Sequence, residues 1–126
     1  MSADPPAVRS AVPADRLAVL RLIEGALLDV DPAAVRAAIA DDRVLVADDP
    51  IAGALVVDPA AAGAHITALA VRPARRRAGV GTALVAAAAD RWGRLTATFD
   101  ERAYPFYDAV GFTIEPRDGR WYGHRG

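Results

Sequence analysis

Residues 71–82 read Val71-Arg72-Pro73-Ala74-Arg75-Arg76-Arg77-Ala78-Gly79-Val80-Gly81-Thr82, between an apolar run from Ala64 to Val71 and an Ala-rich run ending near Trp92. A strand that feeds a basic, glycine-containing turn and then a helix makes an anion site. The first helical turn leaves backbone N–H groups unpaired and carries the positive end of the helix dipole. Gly79 and Gly81 remove side chains that would hold a phosphate at a distance. Arg75, Arg76 and Arg77 add charge around the turn. The stretch therefore predicts a mixed α and β fold that binds something phosphorylated.

Outward from that turn, the chain alternates strand-like and helical patterns. Ala7 to Ala11 predicts a short first strand, and a helix follows from Pro13-Ala14-Asp15 to about Leu28, with Leu17, Leu20, Ile23 and Leu27 at helical spacing. Glu24 falls inside that apolar stripe. Asp31-Pro32 opens a second helix through Ala40, with Asp31 as its N-cap. Val44 to Ala47 and Ile51 to Val57 predict a hairpin across Asp48-Asp49-Pro50, and Asp58 to Gly63 a turn before the strand at Ala64. After the turn at residues 71–82, a helix is expected from about Gly79 to Trp92 with Val80, Leu84, Ala88 and Trp92 on one face. Leu95 to Phe99 is a strand, Tyr104 to Val110 a short helix with Pro105 in its first turn and Gly111 after its end. Phe112 to Glu115 and Arg120 to Gly123 form a last hairpin. The order β-α-α-β-β-β-α-β-α-β-β predicts a mixed sheet with helices on both faces.

Composition narrows the chemistry. The 126 residues, 53% hydrophobic, suffice for one domain that buries roughly two-thirds of its unfolded surface. The absence of cysteine excludes disulfides, thiolate nucleophiles and Cys-based metal sites. A net charge of −1 gives no general attraction to nucleic acid or membrane. The N-terminus lacks the basic-then-apolar order of a signal peptide, and no run is long enough to span a bilayer, so a cytoplasmic protein is expected. All 15 basic residues are arginine. Without lysine there is no Schiff base and no phosphate-loop ammonium, which removes the P-loop reading. A Rossmann fold is disfavoured because its glycine turn follows the first strand of the unit.

Two segments together resemble a known family. The strand His65-Ile66-Thr67-Ala68-Leu69-Ala70-Val71, then Arg76-x-x-Gly79-x-Gly81, is similar to the acetyl-CoA-binding core of the GCN5-related N-acetyltransferases (GNAT). Phe106-Tyr107-Asp108-Ala109-Val110-Gly111-Phe112, one strand later, matches the second half of their signature. The resemblance implies a mostly antiparallel sheet splayed between strands four and five, in one domain covering residues 1–126. It implies transfer of an acetyl group from acetyl-CoA, as co-substrate and without metal, directly to a primary amine of a small molecule or protein. It also leaves a homodimer open. The rival reading is a non-catalytic acetyl-CoA-binding sensor or regulatory module.

The same resemblance distributes roles. The backbone of Leu69, Ala70 and Val71 would hold the pantetheine and thioester end, and the N–H groups of Arg77, Ala78, Gly79, Val80, Gly81 and Thr82, with Arg76, the pyrophosphate. Tyr107 stands where the family's usual general acid protonates the departing sulfur, and a phenol with pKa about 10 suits a thiolate. Asp100 replaces an Asn common near the coenzyme arm; a carboxylate accepts but does not donate, so a helix-capping role competes. His65 is a candidate base, since the strand resembles that of arylalkylamine N-acetyltransferases, whose alternate histidines relay a proton; Thr67 replaces the second. Glu24 is the rival base, because a carboxylate on an apolar stripe needs a partner, either an arginine or the amine. Asp29 and Asp31 would draw amines to the mouth of the pocket.

Overall fold

In the computed structural model, which describes residues 6–26, 30–76 and 78–126, the apolar runs pair into a seven-stranded sheet. In chain order the elements are β1 (Val8–Ser10), α1 (Arg16–Gly25), α2 (Pro32–Ala40), β2 (Val44–Ala47), β3 (Gly53–Ala60), β4 (Gly63–Val71), α3 (Val80–Trp92), β5 (Arg94–Phe99), α4 (Tyr104–Ala109), β6 (Thr113–Arg117) and β7 (Arg120–Arg125). The sheet order is β1-β2-β3-β4-β5-β7-β6. Every neighbouring pair is antiparallel except β4 and β5, which run parallel through the α3 crossover. The sequence-based element order and mixed sheet are those observed.

Alternation along β2 and β3 builds two cores. Leu45, Leu55 and Val57 face α3, where they meet Val80, Leu84 and Val85. Val44, Val46, Ala54 and Val56 face the other way, against Val19 and Ile23 of α1 and Val35 and Ile39 of α2. Asp31 caps α2 as expected, its carboxylate accepting from Ala33 N at 3.0 Å. The stripe expected on α1 is corrected. A 3-10 turn at Pro13–Asp15 delays the helix to Arg16, so Leu17 lies in its first turn and stays 61% exposed. Val19 and Ile23, four apart, are the residues that seat on the sheet.

Strand β3 begins two residues later than expected and runs on through Asp58, Pro59 and Ala60, where a turn was anticipated. The reversal takes only Ala61 and Ala62, the latter at φ 63°. β2 begins at Val44, opposite Val56, so Pro59 lies beyond it on an open edge and its missing N–H costs no ladder bond. A β-bulge interrupts the next pairing. Val56 pairs with Ala68 and Val57 with Ile66, which leaves Thr67 as the extra residue of β4. The bulge inverts the alternation: Ala64 and Ile66 before it, and Leu69 and Val71 after it, all pack toward α3.

The 3-10 turn ahead of α1 is tied to β1 by charge. Asp15 accepts from Arg9 Nη1 at 2.7 Å, Arg9 Nη2 at 3.1 Å and Val12 N at 2.8 Å. The Arg9 hydrogen bond holds the Asp15 carboxyl below the ordinary aspartate range. A depressed folded pKa adds stability above the unfolded value, near 3.9, and that stability is lost as pH falls through the folded value. Asp15→Asn is therefore expected to cost about 1 kcal/mol at pH 7, since Arg9 is half-exposed and screened. Thermal melts at stepped pH should show the two proteins converging once the pH has fallen below the depressed folded value.

Candidate active site

The parallel pairing of β4 with β5 covers only Gly63–Arg94, Ala64–Leu95, His65–Thr96 and Ile66–Ala97. β4 continues to Val71 and β5 to Phe99 without further pairing, so the strands part. A cleft of about 500 Å³ opens between them, lined along β4 from Ile66 to Val71 and along β5 by Thr98 and Phe99. Arg72 N donates to the Ala52 carbonyl at 2.7 Å. By the alternation of an antiparallel ladder, Ala70 N–H also points to β3, while those of Leu69 and Val71 point into the cleft. Of the three expected backbone contacts, the outer two are directed at the opening.

At one end of the cleft stands the start of α3. Gly79 takes φ 82° as its N-cap, a left-handed conformation that suits glycine, and a Cβ there would meet nothing within 4 Å. The first N–H bonded within the helix end is that of Ala83, to the Gly79 carbonyl. The N–H groups of Val80, Gly81 and Thr82 therefore have no partner among the described residues, at the positive end of the helix. Gly81 is buried for a different reason: a Cβ would come 2.9 Å from Phe106 Cε1. Removing the side chain lets α4 pack against the start of α3. Ala78 and Arg76 are exposed, and Arg76 lines the cleft; Arg77 lies outside the described residues.

The arginine cluster is partly committed elsewhere. Arg75 pairs with Asp48 at 2.6 Å, and Arg72 donates to the Ile51 carbonyl at 3.0 Å. Both fasten the β2–β3 turn to the turn before α3, which corrects the expectation that Arg75 adds free charge.

Deeper in the cleft lies Tyr107, 6% exposed. Its ring stacks on Phe99 at 4.2 Å between centroids and meets Phe106 and Phe112 edge-on. Burial among these rings pushes the phenol up to about 12, so it is protonated at neutral pH. Asp100, just past β5, lines the cleft and caps the following 3-10 turn by accepting from Arg102 N at 3.0 Å. The capping role is the one its contacts show.

Neither expected base reaches the cleft. His65 sits within the paired part of β4, its Nδ1 2.7 Å from Thr96 Oγ1, and the bulge at Thr67 puts it out of phase with Leu69. Glu24 is exposed beside Ile23 and forms no ion pair among the described residues, so its predicted place in the apolar stripe is corrected. Asp31 serves α2, and Asp29 lies outside the described residues. Sequence reasoning missed Arg102 and Arg120, which both line the cleft. Their one signal was position, Arg102 three residues past β5 and Arg120 at the start of β7. No group of residues suited to a metal ion occurs among the described residues, and no described helix is long and apolar enough to cross a membrane.

A mixed sheet parted between its parallel strands, above a glycine-opened helix start, is the fold of an acetyltransferase. The chain belongs to the GNAT acetyltransferases: residues 40–114, more than half of it, match the family model described as acetyltransferase (GNAT) domain. Solved structures agree on the fold. Ard1 from Thermoplasma volcanium is 21% identical, with a TM-score of 0.82 over 97% of each chain. The PaiA N-acetyltransferase from Thermoplasma acidophilum, in complex with coenzyme A, is 13% identical at TM-score 0.82, over 97% of this chain and 99% of that one. A GNAT-family acetyltransferase from Bacillus cereus ATCC 10987 is 16% identical at 0.78, over 96% and 95%. No curated protein sequence matches the chain.

Proposed function

We propose that this domain, residues 1–126, moves an acetyl group from acetyl-CoA directly to a primary amine of a small molecule or protein. The observation that carries the reading is the run of open donors along one cleft: the N–H groups at the start of α3, then those of Val71 and Leu69, then the Tyr107 hydroxyl. The cleft's residues fit the coenzyme, since helix-start N–H groups and Arg76 suit a pyrophosphate and an unpaired strand edge suits an amide-bearing arm. When bound, acetyl-CoA supplies the activated acyl group. Leu69 or Val71 N–H would stabilise developing charge on a carbonyl oxygen, an interaction worth roughly 3 kcal/mol. The Tyr107 hydroxyl holds the proton that a leaving sulfur needs. With no cysteine in the chain, a direct transfer accounts for the chemistry without an acyl-thiol on the protein.

The test is free-thiol release from acetyl-CoA across a panel of amines, with products identified by mass. Coenzyme A alone should raise the melting temperature, by about 2.7 kcal/mol of added stability at one hundred times its Kd. Stabilisation without acetylation of any amine would replace the enzyme by a coenzyme-binding module.

A further inference from the structure

Gly53 opens β3 between Ala47 of β2 and Val71 of β4, and it is buried. A glycine in a strand gives up side-chain packing and costs backbone entropy. No turn asks for it here, since its backbone is extended strand that any residue adopts. Room explains it. A Cβ on Gly53 would stand 2.6 Å from Val80 Cγ1, 3.0 Å from Leu84 Cδ1 and 3.3 Å from the Ala70 carbonyl oxygen. The first of these is roughly 1 Å inside the contact distance of two carbon atoms.

The neighbours differ in what they can yield. Leu84 meets the Cβ with the far end of a flexible side chain. Val80 meets it with a methyl on a β-branched carbon, whose rotamer a helix nearly fixes. The strand is held from behind: Ala52 N donates to the Ala47 carbonyl at 2.9 Å, and Arg72 N to the Ala52 carbonyl at 2.7 Å. An added methyl therefore displaces Val80, and the start of α3 moves with it.

Val80 is the first residue of α3, directly after the Gly79 N-cap, and its N–H is the first of the helix-start donors. Val71, paired with Gly53, ends β4 with its N–H toward the cleft. One glycine thus adjoins both ends of the turn at residues 71–80. It fixes how closely the helix start approaches the strand edge.

We propose that Gly53 is a positioning residue for the acyl donor: the space above it seats the start of α3 at the depth from which its N–H groups meet the coenzyme's pyrophosphate. The inference rests on the acetyltransferase reading above, and Gly53 itself touches no ligand.

The test compares coenzyme A with pantetheine derivatives, which lack the pyrophosphate. Calorimetric Kd for coenzyme A, and kcat/KM for acetyl-CoA and acetylpantetheine with one accepted amine, are measured for wild type, Gly53→Ala, Val80→Ala and the double variant. Gly53→Ala should raise Kd for coenzyme A and KM for acetyl-CoA about tenfold, as for a lost charge-assisted hydrogen bond. It should leave kcat/KM for acetylpantetheine within about twofold. The double variant, in which the clashing methyl is gone, should bind coenzyme A as tightly as Val80→Ala does. Equal losses with acetyl-CoA and acetylpantetheine would make Gly53 a residue of general stability and overturn the inference. So would a folded Gly53→Ala with unaltered Kd, or a double variant as weak as Gly53→Ala. Should Gly53→Ala not fold, the double variant decides: binding equal to that of Val80→Ala supports the seat, and weaker binding overturns it. Coenzyme binding without acetylation of any amine removes the transferase reading and leaves the Kd comparison to decide; no coenzyme binding by wild type removes both.

Discussion

Tyr107→Phe is expected to lower kcat by about 10²–10⁴-fold and to leave KM for acetyl-CoA within about twofold. The substitution deletes one oxygen and keeps the ring, so the stack on Phe99 and the edge contacts with Phe106 and Phe112 remain. A loss of rate without a loss of fold is the signature of a proton donor. The pH profile sharpens the test. An exposed tyrosine begins to lose its proton near pH 10, but burial holds this one to about 12. The wild-type rate should therefore show no alkaline limb from this phenol through about pH 11. Stability carries the same sign. A folded pKa raised above the unfolded one contributes fully below about pH 10, and that contribution is lost as pH rises toward about 12. Thiol-release rates and melts taken from pH 7 to 11 would reveal both effects, and an unchanged kcat in the variant would place the acid elsewhere.

Gly63→Ala is expected to be the most damaging small substitution, costing about 3 kcal/mol or more and roughly 10 °C in Tm. Gly63 makes the first parallel pair with Arg94, and a Cβ there would fall inside the van der Waals envelope of the Arg94 carbonyl. That atom is backbone and has no rotamer through which to move aside. Relief requires β4 and β5 to separate where their short pairing begins. Gly25→Ala is the control, since a Cβ at the end of α1 meets nothing within 4 Å; it should be neutral or stabilising by about 0.4–1 kcal/mol. Equal melting of Gly63→Ala and wild type would mean that the parallel pair gives way at little cost.

The elements nearest the helix start were legible because each carries a local signal. β2 and α2 appear at the positions their patterns predict, and Asp118-Gly119, both at positive φ, turn the last hairpin. The end of β3 was not legible, since Asp58, Pro59 and Ala60 are exposed and show no burial pattern. The bulge at Thr67 was equally silent, as a residue inserted in one strand is defined only by its partner strand. His65 was singled out by the resemblance of its strand, and that single residue sets which face of the sheet it takes. Strict alternation puts His65 on the face of Leu69 and Val71, and the bulge moves it to the other. Glu24 left the expected apolar stripe through helix phase: a shift of the buried pair to Val19 and Ile23 turned it to solvent. Arg102 stood close to the second motif, only four residues before Phe106, and its place in the cleft follows from the turn after β5; Arg120 was hidden because it lies on β7 and meets the cleft only across the sheet.

The opening between β4 and β5 is walled on its β4 side by main-chain atoms and entered past a helix start that also offers main-chain atoms. Such a surface is written in the path of the chain and hardly at all in its letters. Substitutions along Leu69, Val71 and the first turn of α3 can accumulate as long as the strands still part and the helix still begins there. A relative with 13% identity can then superpose at a TM-score of 0.82. Shape depends instead on a missing atom at Gly63, Gly53 and Gly81, where a Cβ would meet the Arg94 carbonyl, Val80 and Phe106. At those three positions this chain is shaped by what the residue lacks, and one added carbon is enough to test it.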